Sequence, residues 1–404
     1  MDVDVLITGG GPAGLSTALH LNRIAPHLTP RILILEKARY PRPKLCAGGL
    51  VLDAEIILQR LGLDVREIPH VDAQTIKFDF EGKGFNFRVP RKHALRIIRR
   101  DEFDNWLAIK TREAGIEIRE GVTVKNILSQ SGRVIVETEQ GTFHAQVVVG
   151  ADGSNGITRR CIFPNAPVHT ARVLEVLAPS ALRAPPPNPT MNILNADSKF
   201  ELSYLGEAGR GSDVAYFEFS PVPNNIAGYV WDFPAQINGK PMRCWGIYDT
   251  NILASEKRSQ LKEPLAEEMS RFGYDLNDYE VKGYPIRWFS PEHLMSVPRV
   301  LLVGDAAGAD PLLGEGISMA LGYGALAARE ISESFQRGEF SFRGFKRRVV
   351  RSGLGQTLLV RWFIAHIIYP LKWRWFQILT WRISKPLVLL TAWMFVLNWG
   401  KRLK

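Results

Sequence analysis

The stretch "VLITGGGPAG", Val5 to Gly14, decides the fold. A short apolar run, Val3 to Thr8, feeds a turn with Gly9, Gly11 and Gly14 in GxGxxG spacing, and Leu15, Ala18 and Leu19 follow at helical spacing. This order predicts a buried strand, a tight turn and a helix that follows Gly14. Glycines are needed there because the backbone must approach a pyrophosphate, whose charge then meets the helix N-terminus. The next strand, "RILILE", ends in Glu36, twenty-two residues after Gly14, where a carboxylate accepts hydrogen bonds from ribose hydroxyls. Strand, turn, helix, strand and acid in this order specify a dinucleotide-binding unit.

Two more nucleotide-like motifs lie downstream. "RVLLVGDAAGADPLLGEGISMAL" reads as a strand ending in Gly304 and Asp305, then a loop with Pro311, Gly314 and Gly316 that opens a helix near Gly316. Asp305 is placed for sugar-like hydroxyls, and the helix N-terminus for developing negative charge. "VVVGADGSNGITRR" brings Asp152 and Gly153 to another strand end. Between these motifs, "TIKFDFEGKGFNFRV" alternates around Gly82 and Gly84 as a hairpin, residues 101–114 read as a helix, and 115–153 as strands returning to the first sheet. From Ala171 to about Tyr284 short alternating strands dominate, interrupted by the proline-rich "RAPPPNP". The expected architecture is α/β: a Rossmann-like domain (1–70, 91–165 and 285–335), an inserted, mostly antiparallel β-sheet domain (71–90 and 166–284) and a helical C-terminal region (336–404).

The three motifs together closely resemble the FAD-binding fold of the aromatic hydroxylase type of flavoproteins, over about residues 1–335. "IIRRDEFDNWL" resembles that group's segment in which an arginine, here Arg100, touches the cofactor; Gly156 stands where such proteins commonly have serine. The resemblance implies that FAD is held by Gly9, Gly11, Pro12, Ala13, Gly14, Glu36, Lys37, Ala47, Gly48, Gly49, Arg100, Val124, Asp152, Gly153, Gly304, Asp305, Pro311, Gly314, Gly316 and Ile317. Only one GxGxxG follows a strand, so the electron donor, NADPH or a reduced carrier, is expected to bind transiently.

"KLCAGGL", Lys44 to Leu50, looks like the cysteine and double-glycine loop of geranylgeranyl reductases, and "YVWDFP", Tyr229 to Pro234, is similar to their Tyr-x-Trp-x-Phe-Pro signature. Where that family follows the signature with GxG, this chain has Arg243, Cys244 and Trp245, with Gly239 and Gly246 displaced. The resemblance implies reduction of carbon–carbon double bonds in a polyprenyl group of a lipid, quinone or pigment precursor, with Cys46, Tyr229, Trp231 and Phe233 facing the substrate. By the period of two, the three aromatics share one face of a strand, an apolar wall that asks for few polar partners. A flavin monooxygenase or halogenase, whose Trp-x-Trp-x-Ile-Pro stretch is similar, and a lipid carrier with structural flavin are the alternatives.

Composition adds the third region. Of 404 residues 46% are apolar, and the net charge of +10 looks like a nucleic-acid signal until its location is asked. After Glu339 there is no acid, while residues 340–404 hold thirteen of the 51 Lys and Arg; the rest of the chain has 38 against 41 acids. Six of the ten tryptophans follow Thr357, and the longest uncharged run there, Pro386 to Gly400, is fifteen residues, short of the ~18–20 that span a bilayer. Basic residues recurring among Trp, Leu and Ile predict helices lying in a membrane interface, on the cytoplasmic face, and disfavour nucleic acid. The N-terminus runs straight into its strand with no room for an export signal. Three cysteines without CxxC, and scattered histidines, predict neither a disulfide framework nor a metal centre.

Overall fold

The computed structural model describes residues 1–89, 92–180, 211, 213–253, 260–391 and 397–403. The proline-rich stretch 183–189 and the expected domain boundary at 90–91 lie outside the described residues. The N-terminal run forms the strand Asp2–Thr8, buried from Val3 onward. It pairs in parallel with Ile32–Glu36 on one side and Gly141–Gly150 on the other. Glu117–Glu120 and Val300–Leu302 extend the parallel order outward. Strands covered on both faces read as continuous apolar runs, which is why "ILILE" carries no polar alternation. The helices Pro12–Ile24 and Ile317–Arg337 pack on each other, so the two glycine-opened motifs, three hundred residues apart, share one core. Gly9 makes the turn possible: its φ is +98°, and a Cβ there would lie 2.5 Å from the Ala151 carbonyl oxygen.

The second sheet has seven strands in the order Lys282–Arg287, Thr170–Pro179, Lys240–Asp249, Gly228–Ile237, Val214–Glu218, Thr75–Phe80 and Lys83–Arg88. Every pairing is antiparallel except that of Val214–Glu218 with Thr75–Phe80. A three-stranded sheet ties Gly49–Leu50, at the end of the Cys46 loop, to Leu95–Ile98 and His70–Ala73.

The strand Gly228–Ile237 is buried on both faces through Pro234. Tyr229, Trp231 and Phe233 join one apolar cluster, while Val230 packs with Trp245 and Ile247 in another. On that second face Arg243 Nε donates to Asp232 Oδ1 at 2.7 Å, a pair buried within the sheet. The displaced glycine has a steric reason: Gly246 lies opposite Trp231, and a Cβ on it would meet Trp231 Cζ2 at 2.1 Å.

The C-terminal region runs through the helices Phe345–Arg351, Gly353–Ile368, Arg374–Ile378 and Lys385–Thr391, with a π-helical turn at Leu379–Ile383. Residues 392–396 and 404 lie outside the described residues. Tyr369, Trp381 and Trp399 are buried against the body. Asp53 anchors the end, accepting from Asn398 N at 3.0 Å and Gly400 N at 2.7 Å. Among the described residues no helix is long and apolar enough to cross a membrane.

Two outcomes follow from this packing. Gly246→Ala is expected to lower unfolding free energy by about 1–3 kcal/mol, since backbone as well as Trp231 must shift, and a thermal melt reads it. Asp53→Ala leaves two N–H groups of the terminal turn without their acceptor; hydrogen exchange at residues 398 and 400 should accelerate while the glycine-turn strands keep their protection.

Candidate active site

One cavity of about 980 Å³ runs from the glycine turn to the second sheet, at the top of the roughly 300–1,000 Å³ range of small-molecule sites. Gly9, Gly11, Pro12, Ala13, Glu36, Lys37, Val124, Asp152, Gly153, Gly304 and Asp305 line its nucleotide-like part. Ala47, Gly48, Gly49, Arg100, Gly314, Gly316 and Ile317 line it further along, with Cys46, Tyr229, Trp231 and Phe233. The fold thus brings nearly every residue singled out in the sequence to one space. Gly14 and Pro311 are not on its wall. A Cβ on Gly14 would lie 2.1 Å from Gly9 O, so this glycine serves the packing of helix on turn. Pro311 offers its carbonyl to Tyr248 Oη at 3.2 Å.

The nucleotide part fits a dinucleotide. The helix Pro12–Ile24 starts with no side-chain cap, leaving first-turn N–H groups at the cavity for an anion. Arg42 lines the same place; its Nη2 is 3.2 Å from Asp104 and 3.6 Å from Glu36, while its buried Nε has no partner among the described residues. Glu36 holds the turn through Gly10 N at 2.8 Å and Ala38 N at 3.0 Å, and each carboxylate oxygen keeps a second lone pair for a ribose hydroxyl. Asp152 is committed to Thr158, through N at 2.8 Å and Oγ1 at 2.9 Å, and so starts the helix Ile157–Ile162. A Cβ on Gly156 would sit 2.2 Å from Asp152 Oδ1, which accounts for glycine where serine is common. Arg100 binds Asp104 in a bidentate pair at 2.8 and 2.9 Å. Lys44 sets its Nζ 3.2 Å over the Tyr284 ring, and burial, opposed by the Asp305 charge, draws its pKa down to about 8.

The other part is apolar. Tyr229, Trp231 and Phe233 are joined by Phe78, Phe217 and Phe219, brought in by the parallel strand pair, and by Trp381 from the C-terminal region, stacked on Phe219 at 3.7 Å. Cys46 is half-buried and opens onto this space; burial pushes its thiol pKa up, so it stays protonated. Its sulfur accepts from Gly48 N at 3.4 Å.

The residues that sequence reasoning missed gather at the loop between Asp310 and Gly316. Arg361, from the helix Gly353–Ile368, directs Nη1 to Asp310 Oδ2 and Glu315 Oε2, both at 2.6 Å. Ser318 Oγ donates to the other Glu315 oxygen. Burial drives the Glu315 pKa up to about 7, Arg361 opposing and Asp310 reinforcing the shift. Glu315 and Arg361 both line the cavity, which places a carboxyl that holds a proton near neutrality beside the aromatic wall. The one available signal was charge inside the glycine-rich "PLLGEGI" loop.

Comparison with known proteins agrees with this geometry. Residues 2–238 match the model of an FAD-binding domain. The chain is 27% identical over 369 residues to digeranylgeranylglycerophospholipid reductase 1 of Methanopyrus kandleri, covering 86% of this chain and 85% of that protein. Among solved structures it superposes on a geranylgeranyl bacteriochlorophyll reductase-like protein of Thermoplasma acidophilum with TM-score 0.72 at 19% identity, covering 100% and 98% of the chains. A flavin-dependent brominase shares the fold at TM-score 0.68 and 15% identity, covering 100% and 95%. With the cradle, the acid and more than half its length in register with that model, the chain belongs to the FAD-binding domain family of flavin-dependent oxidoreductases.

Proposed function

We propose that this protein saturates carbon–carbon double bonds in a polyprenyl group carried by a lipid, quinone or pigment precursor. The observation that carries the reading is the continuity of the FAD cradle with a chamber walled by Phe78, Phe217, Tyr229, Trp231 and Phe233. Such a wall gains about 25 cal/mol for each square ångström of prenyl chain buried and fixes an alkene by shape alone. Reduced FAD, when bound, supplies a hydride to one alkene carbon; the transient donor that reduces it is NADPH or a reduced carrier. The second alkene carbon needs a proton, and Glu315 holds one at the cavity wall. Arg361 keeps that carboxyl in place, and Asp310, on the same guanidinium nitrogen, favours its protonated form. The Cys46 thiol, kept neutral by burial, shapes the wall beside it. Digeranylgeranylglycerophospholipid reductase relatives support this substrate class over the halogenation suggested by the brominase fold.

The reading is tested by anaerobic incubation of the FAD-loaded protein with dithionite and a prenyl lipid, followed by mass spectrometry. A gain of two mass units for each bond reduced is expected; an unchanged lipid, with turnover only when oxygen is admitted, would replace the reading by an oxygenase.

Gly11→Ala separates cofactor binding from folding. Gly11 has φ −85° and ψ −178°, open to any residue, and a Cβ there has only Arg42 Nη2 near it, at 3.7 Å. The flavin-free variant should melt like the wild type, while FAD affinity drops about tenfold or more, ~1.4 kcal/mol, because the methyl meets the pyrophosphate.

Glu315→Gln keeps the contact to Arg361 and removes the proton. Bond saturation should slow by about 10²–10⁴ with flavin reduction unaffected. In the wild type the rate should fall as pH rises through about 7. The sign for stability is the same: the folded state binds more protons than the unfolded between the ordinary value of 4.5 and about 7, so this group's contribution declines across that interval.

A further inference from the structure

We propose that the cavity opens directly onto an anionic lipid monolayer, through a mouth framed by Ile367, Leu379 and Leu387, so that an apolar substrate passes from the acyl layer to the aromatic chamber without crossing water. This rests on the reading of an apolar, lipid-borne substrate given above. Each of the three side chains both lines the cavity and is exposed on the surface. Such double membership marks a rim. Of thirteen large apolar side chains exposed among the described residues, seven fall between positions 363 and 387, and the other six are scattered along the rest of the chain. Scattered exposed apolar residues are ordinary on a soluble surface, whereas a contiguous set of them marks an interaction site.

The surface around the mouth has the chemistry of a membrane interface. Trp373 and Trp375, exposed by 57% and 62%, lie side by side with ring centroids 6.1 Å apart and planes within 9°. Ile383, exposed by 65%, closes the π-helical turn Leu379–Ile383 that follows. Tryptophan at headgroup depth with aliphatics below it is the arrangement of helices that lie in the interface plane. Lys372, Arg374 and Lys385 are exposed in the same segment, and no acid follows Glu339 in the chain. Glu81, from the hairpin turn before Lys83–Arg88, pairs with Arg374 at 2.7 Å and Arg382 at 3.3 Å, so one carboxylate stands against four cations and the surface stays basic. Charge decides between the two candidate occupants. A second copy docked by two-fold symmetry would set this basic segment against itself, whereas anionic headgroups meet it with the opposite sign. The buried side of the same region, Tyr369, Trp381 and Trp399, is already packed on the body, so the exposed side is free to face lipid.

The test uses the full-length, FAD-loaded protein with vesicles of phosphatidylcholine alone or mixed with phosphatidylglycerol, read by co-sedimentation. Binding to the anionic vesicles is expected, weaker by about tenfold or more without phosphatidylglycerol and in the variant W373S/W375S/I383S, with flavin content unchanged. The mouth is read separately: an environment-sensitive fluorophore on Leu387→Cys should shift to the blue when vesicles are added, and one on Val168→Cys, exposed by 60% elsewhere on the surface, should not, with the labelled wild type as blank. Absence of vesicle binding, equal binding by the triple variant, a silent probe at position 387, or a dimer that the same substitutions dissociate would each overturn the proposal. None of these readouts requires turnover, so failure of the reductase reading would leave vesicle binding intact, and failure of vesicle binding would leave bond saturation in detergent intact.

Discussion

The arrangement turns on one guanidinium. Arg361 sits on a helix of the C-terminal region, is 1% exposed, and meets Asp310 and Glu315 through a single nitrogen. A buried charge is costly unless paired, and two carboxylates facing one cation leave an excess negative charge. Burial first, and Asp310 beside it, draw the Glu315 carboxyl up to about 7 against the pull of Arg361, so it is partly protonated near neutrality. Asp310 spends its remaining capacity on Leu312 N at 2.7 Å and Leu313 N at 3.1 Å, folding the loop on itself. Tyr229 and Tyr369 then donate to the Leu313 and Leu312 carbonyls. The loop that carries Gly314 and Gly316 therefore hangs from the aromatic wall on one side and from the C-terminal region on the other.

Three parts of the fold meet at this loop and share one cavity. The parallel sheet supplies the cradle, the seven-stranded sheet supplies the wall, and the C-terminal region covers one side with Trp381 against Phe219. An apolar chamber keeps water out, and within it fixed charges and dipoles act strongly. An isolated alkene has no carbonyl to polarise. The reduction proposed above would rest on holding the substrate at one depth and one orientation, which a stiff aromatic wall does well because each ring loses little rotamer freedom.

The legible part of the site was local. The glycine turn, Glu36, Asp305 and the period-two aromatics each lie within one strand or turn, where spacing fixes direction, and all of them line the cavity. What escaped is non-local. Nothing in the sequence around Arg361 points 46 residues back to Glu315, and Phe78 meets Phe217 only because two distant segments pair in parallel. Gly14 and Pro311 show the converse limit: a motif identifies the turn but not which of its members touch the ligand. Composition predicts interfacial helices in the C-terminal region without telling which side chains face inward, and side-chain direction divides them. Tyr369 and Trp381 are buried, while Trp373 and Trp375 are exposed. The fifteen-residue uncharged run could not foretell that division, because tertiary packing sets it.

The most direct measurement is a single turnover in the absence of oxygen, with the flavin pre-reduced by light and then mixed with a soluble short-chain prenyl substrate. The account predicts that the yellow absorbance returns with one saturated bond formed per flavin, and that it returns more slowly above neutral pH. A flavin that stays bleached until oxygen is admitted would contradict it.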